Sequence, residues 1–164
     1  MTGGLPATER PEAFRRVTEA LAARAHPHPP LFLDVAARTA QEAADALGVE
    51  VGQIAKSIVF RRLGDDAAVL VVTSGDRRVD EAKVAARVGP VGRANAAFVK
   101  AATSFTIGGV APVGHLNAPV ILIDRELFRF DFIWAAAGHP NGVFKLTPKQ
   151  LAELTGAPVE DVTP

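Results

Sequence analysis

Ile54-Ala55-Lys56-Ser57-Ile58-Val59-Phe60-Arg61-Arg62, then Gly64-Asp65-Asp66, then Ala67 to Thr73, is the stretch from which the fold can be read. β-Branched residues suit a pleated surface, while Gly and Asp favour tight turns. The pattern therefore predicts two strands joined as a hairpin. Side chains alternate along a strand, so Ile54, Lys56, Ile58 and Phe60 share one face, and Ala55, Ser57, Val59 and Arg61 the other. Lys56 thus projects from the more apolar face. A buried ammonium without a partner is costly. Two readings are open: a Lys at the mouth of a pocket meeting a phosphate or a polarised oxygen, or a Lys near a strand end that reaches water.

Outward from the hairpin, the punctuation is local and physical. Upstream, Phe14, Val17 and Leu21 recur at helical spacing, which predicts a helix over residues 9–25 beginning near Pro11. Residues 1–8 read as a flexible terminus. His26-Pro27-His28-Pro29-Pro30 breaks the helix and hands the chain to Leu31-Phe32-Leu33. Thr39 and Glu42 have capping-box spacing ahead of the apolar positions Ala40, Ala43, Ala44 and Leu47, and Gly48 is a natural stop. Downstream, Asp80 and Asn95 are helix caps, the first helix running to Val88 and the second through Lys100 and Ala102. Pro119 to Asp124, Phe132 to Ala137 and Val143 to Leu146 read as strands. Thr147, Pro148 and Gln150 open a last helix over about 148–154, ended by Gly156. Strands interspersed with short helices give an α+β class with a mixed, curved sheet. With 164 residues and no linker or repeat, one domain over 1–164 is expected.

Composition narrows the function classes. Lys plus Arg and Asp plus Glu are both 18, so the formal charge is zero. That excludes a strongly basic nucleic-acid coat, though not a local patch. Arg61-Arg62, Arg77-Arg78, Arg87 and Arg93 are either such a phosphate-facing patch or a scattered solvated surface. The absence of Cys removes disulfides, thiolate metal sites and a cysteine nucleophile. No apolar run reaches the roughly 18 residues of a membrane span, and the first ten residues lack a signal-peptide pattern. His26-x-His28 supplies too few ligands for a closed zinc site. Ser57, His115 and Asp124 can be assembled into a triad on paper, but no Gly-x-Ser-x-Gly elbow supports it. Trp134 and Phe132 read as core rather than as base-stacking platforms.

Ile107-Gly108-Gly109-Val110-Ala111-Pro112-Val113-Gly114-His115 is neither a P-loop nor a dinucleotide fingerprint. Adjacent glycines let a backbone approach a ligand closely, and Pro112 stiffens the far end. The amides of Gly109, Val110 and Ala111 are candidate donors to a small polar group. Taken alone, the segment also fits a tight bend between strands.

Thr39-Ala40 opening a helix, then Ala55-Lys56-Ser57, then Gly108-x-x-x-Pro112, then the Gly138-containing region, resembles the YbaK/prolyl-tRNA-synthetase-associated editing domain family. Asn141-Gly142-Val143-Phe144-Lys145-Leu146-Thr147-Pro148 and Leu154-Thr155-Gly156-Ala157 also look like the end of stand-alone members. The resemblance covers about residues 30–160. It implies a mixed, barrel-like sheet flanked by helices, and hydrolysis of the ester joining a wrong amino acid to the terminal adenosine of a tRNA, often that for proline. By the same resemblance, Lys56 holds the tRNA end. The loop formed by Gly108, Gly109, Val110, Ala111 and Pro112 positions the aminoacyl carbonyl or the attacking group. Thr39, Ser57, His115, Gly138 and His139 are expected around the substrate, His139-Pro140 resembling a pair in alanine-directed relatives. No metal or organic cofactor is implied; a ribose hydroxyl, a substrate thiol or water would attack.

The expected partner is the 3′ end of an aminoacyl-tRNA, with a transient contact to a synthetase compatible with it, and with neither membrane nor DNA. The expected location is the cytoplasm. The chain departs from the family pattern at Ala111, where many members carry Ser or Pro. The edited amino acid therefore stays open, as does the alternative of a non-catalytic module that binds tRNA ends.

Overall fold

A computed structural model describes residues 10–164, so the expectation for residues 1–8 lies outside the described residues. In chain order the elements are α1 (Glu12–Ala23), β1 (Leu31–Phe32), α2 (Ala40–Leu47), a 3₁₀ turn (Val51–Gln53), β2 (Ile54–Arg62), β3 (Ala68–Ser74), α3 (Glu81–Val88), β4 (Val91–Arg93), α4 (Ala96–Thr103), β5 (Val120–Asp124), a second 3₁₀ turn (Arg125–Arg129), β6 (Ile133–Ala136), β7 (Gly142–Leu146), α5 (Pro148–Thr155) and β8 (Val159–Glu160).

The helix boundaries follow from their caps. Thr39 accepts from the Glu42 amide (3.1 Å) while Glu42 accepts from the Thr39 amide (3.1 Å), closing the capping box of α2. Gly48 ends α2 in the left-handed region at φ 68°. Asp80 accepts from the Ala82 and Lys83 amides, Asn95 from that of Phe98, and Thr147 from that of Gln150. The first helix is shorter than the expected span. Pro11 is its cap rather than part of its first turn, and Ala25, at φ 54°, turns the chain away.

The sheet is mixed, in the order β1-β7-β6-β2-β3-β5-β8, with β4 paired to β2 beside that path. The hairpin is confirmed: β2 and β3 are antiparallel from Ala55↔Ser74 to Arg61↔Ala68. β5 runs parallel to β3, and β6 parallel to β2. The class is α+β. Among the described residues no ladder joins β1 to β8, so the barrel-like closure implied by the resemblance is not among the pairings; the sheet keeps two edges. The short strands β4 and β8 escape the sequence reading because partners define them, not their own composition.

Both faces are covered. On one, Phe14, Val17 and Leu21 of α1 and Leu151 of α5 pack with Ala55, Leu70, Val72, Phe105 and Phe144. The other face carries two smaller clusters. Ala43 and Ala44 of α2 meet Ile54, with Trp134 against them. Val84 of α3 meets Phe60, Val69 and Val71, with Ile58 against them. Lys56 lies between Ile54 and Ile58 on that face, at the seam between the two clusters. Among the described residues no helix is long and apolar enough to cross a membrane.

Candidate functional site

The seam is hollow. A cavity of about 280 Å³ opens beside Lys56, walled by α2 and the segment before it, by β2 and β6, by Gly142 and Val143 of β7, and by Ile107, Gly108 and Val110. The strand order explains the hollow. On the edge of β2 away from β3, the ladder to β6 covers only Ile54 and Ala55, and the ladder to β4 only Phe60 to Arg62. Residues 56–59 have no strand beside them on that edge. Arg62 turns its amide toward the hairpin turn, donating to Ala67 (2.9 Å). By alternation Ser57 and Val59 turn their backbone groups to the uncovered edge.

Lys56 is half-buried and makes no ion pair among the described residues. Burial pushes its pKa below the ordinary lysine value. The positive charge of Arg78 adds to that, and Asp76 opposes it. An ammonium placed in this way is short of a counter-charge, which is the condition under which an anion binds.

The glycine segment forms the opposite wall. Phe105, fully buried, anchors its start. Gly108 has φ 93°, and a Cβ there would lie 3.8 Å from the Arg38 side chain. Gly109 must lack a side chain, since a Cβ would come within 2.9 Å of the His139 Cα. The expected row of donors is not all present. Gly109 gives its amide to Thr106 (3.0 Å), closing a turn, so it is not available to a ligand. Ala111 is fully buried and does not line the cavity; its carbonyl takes a bond from His115 Nε2 (2.7 Å). Gly108 and Val110 line the cavity, and neither amide has a backbone acceptor among the described residues. Pro112 faces a separate, more open cavity of about 340 Å³ bounded by α1 and the end of α5.

Of the other expected residues, Thr39 and Ser57 line the Lys56 cavity. The Thr39 oxygen is engaged as the cap of α2, whereas Ser57 Oγ is buried without a partner. His115 is not brought to this cavity. It lies against Phe105 and lines the cavity of Pro112, its pKa pushed down chiefly by burial. Gly138 is also away from it. At φ 87°, its missing Cβ makes room for the Ala13 carbonyl, 2.6 Å from where that atom would be, so its role is to seat α1. His139 stands behind the loop rather than in the cavity. Its ring lies on Phe32 (5.1 Å), its Nδ1 accepts from the Asn141 amide (3.1 Å), and burial and then Arg38 lower its pKa. The paper triad is not assembled. Asp124 is buried at the end of β5, accepting from the amides of Glu126 and Val162 and the hydroxyl of Thr163. Among the described residues no three His, Asp or Glu cluster as a metal site would require.

Arg38, Ile107 and Trp134 are among the cavity residues that the sequence does not assign to the site. Trp134 was read as core, and it does pack on α2, but its buried Nε1 has no acceptor. Arg38 carried no signal beyond standing next to the Thr39 cap. Among the described residues that line the cavity there is no His, Asp or Glu to act as a general base. The cavity offers a cation, loop amides and an apolar wall.

Residues 34–154 match the family of the aminoacyl-tRNA editing domain. The chain belongs to that family. It is 41% identical to a solved structure described as that of a proposed trans-editing enzyme for prolyl tRNA synthetase, with a TM-score of 0.87 over 95% of this chain and 99% of that one. It is 35% identical over 123 residues to the uncharacterised protein YwhH of Bacillus subtilis, covering 74% of this chain and 78% of YwhH. It is also 26% identical over 128 residues to EbsC of Enterococcus faecalis, a proposed Cys-tRNA(Pro)/Cys-tRNA(Cys) deacylase, covering 76% and 77%. Membership in the editing-domain family indicates aminoacyl-tRNA editing, the deacylase reaction.

Proposed function

We propose that this editing domain acts on its own, hydrolysing the ester of a tRNA for proline that carries a wrong, small amino acid. The observation that carries the reading is one cavity holding both an unpaired ammonium, Lys56, and the Gly108 and Val110 backbone. The relatives named for prolyl-tRNA synthetase and for Cys-tRNA(Pro) support the choice of tRNA.

In this reading Lys56 pairs with a phosphate of the tRNA end. The amides of Gly108 and Val110 face the ester carbonyl, where negative charge develops as the nucleophile adds. One donor held in place is worth about 3 kcal/mol of barrier, roughly a hundredfold in rate. A water oxygen bonds to the carbonyl carbon; the bond to the ribose oxygen then breaks, and that oxygen leaves with a proton. With no carboxylate or imidazole among the described lining residues, this reading gives the proton to solvent or to a neighbouring ribose hydroxyl. The side chain of the amino acid would lie against Ala37, Ala40, Ala43 and Val143. The domain would work in the cytoplasm, in passing contact with a synthetase.

A panel of proline tRNAs charged with alanine, cysteine or serine tests the reading, with Lys56→Ala beside the wild type. Release of free amino acid by the wild type, and its loss in Lys56→Ala, is expected. Tight binding without release by the wild type would replace the hydrolase with a module that only binds.

A further inference from the structure

The basic residues divide into two sets that the sequence does not distinguish. Arg61, Arg62 and Arg77 are neutralised by Asp66, Asp65 and Glu126. Arg87 and Arg129 are likewise paired, with Glu160 and Asp76. Arg38, Lys56 and Arg78 are in no ion pair among the described residues, as is true of Arg24, Arg93, Lys100 and Lys149 elsewhere, but these three lie near one place. Arg38 and Lys56 line the same cavity. Arg78 follows the end of β3, where Thr73 is the cross-strand partner of Lys56. Both arginines are exposed. Their charges are felt locally: that of Arg78 depresses the Lys56 pKa, and that of Arg38 depresses the His139 pKa.

The chain has as many acids as bases, yet no acid is within ion-pair distance of these three cations among the described residues. Asp76, the acid whose charge reaches Lys56, is itself held by Arg129, so like charges are left together at a cost that an anion would relieve. The two arginines come from different elements, Arg38 before α2 against Gly108 and Arg78 outside the cavity lining, beyond β3. A guanidinium takes a phosphate through two parallel N–H donors, and its exposure at a rim suits a strand passing over the surface.

We propose that Arg38 and Arg78 are RNA-binding residues, forming with Lys56 a rim that grips successive phosphates of the single strand leading to the terminal adenosine. This rests on the reading of the cavity as a site for the tRNA end. It adds that affinity is gathered outside the cavity, from nucleotides that do not react.

The test uses the full chain, a fluorescent single-stranded RNA of tRNA 3′-end sequence, and a salt titration. Arg38→Gln and Arg78→Gln are compared with Arg93→Gln, which removes an exposed charge beside the far end of β2. Each rim variant is expected to weaken binding about fivefold to tenfold and to flatten the slope of log affinity against log salt by roughly 0.7, the value per phosphate contact on a single strand. Arg93→Gln is expected to change neither. In parallel, the rim variants should raise KM for mischarged tRNA by a larger factor than KM for aminoacyl-adenosine, which has no upstream phosphate. Unchanged affinity and slope in the rim variants, or an equal loss in Arg93→Gln, overturns the rim, as does a wild type that binds no RNA. Rim variants that lose affinity beside a wild type that releases no amino acid would uphold the rim and remove the hydrolase reading instead.

Discussion

Lys56 is held where its charge is disfavoured, by burial first and by Arg78 second. A depressed pKa means that the ammonium is lost at lower pH than an ordinary lysine. Affinity for the tRNA end should therefore fall as pH rises through that value. Arg78→Gln removes one depressing charge, so the alkaline fall in 1/KM should move to higher pH, read from a pH profile. Lys56→Ala should lower kcat/KM by about tenfold to a hundredfold, the worth of one charged hydrogen bond. His115 gives the opposite lesson. Burial holds its pKa below the usual 6.5, so the unfolded chain binds the proton more readily. That costs stability as pH drops below about 6.5 toward the depressed native value. His115→Gln should flatten the acid side of a Tm-against-pH curve while deacylation persists, because the ring is outside the Lys56 cavity. The sequence made Lys56 legible, since a cation on an apolar strand face breaks the alternation. It misplaced His115, since proximity along the chain to a glycine loop says nothing about which side of that loop a ring takes.

At the scale of elements, caps and breakers were the readable signals because their physics is confined to four or five residues. Thr39 with Glu42 fixed the start of α2, and α2 supplies the Ala40 and Ala43 wall of the cavity. Thr39→Ala should destabilise the protein by about 1 kcal/mol in urea unfolding, with Thr39→Ser restoring most of it. The glycine loop was legible as a close approach, though not in what it approaches. Gly109 faces the backbone of His139, not a ligand, and its amide is engaged within the loop. Gly109→Ala should push Gly108 and Val110 out of place, lowering kcat for mischarged tRNA while the rim residues keep RNA affinity near wild type. The strands β4 and β8 were illegible because three and two residues carry no periodicity; only the neighbours β2 and β5 make them strands.

Across the whole molecule, the mixed sheet follows from the hairpin, but its order depends on long-range pairing that no local pattern encodes. Asp124 shows the tie between distant parts. Fully buried, it holds Val162 and Thr163, so the last residues cover the cluster around Val69 and Leu122. Asp124→Ala should cost about 3 kcal/mol or more in urea unfolding, since buried donors are left unmet. The uncovered stretch of β2, residues 56–59, has a further consequence. Bare strand edges invite pairing with another copy, which is how sheets polymerise. Here the bare stretch is four residues long, closed off by β6 at one end and β4 at the other, and it begins at a lysine. A foreign strand has at most four residues to pair with there, and a second copy brings the same positive charge. The interruption that opens the cavity thus also leaves a short, positively charged edge, which disfavours self-association.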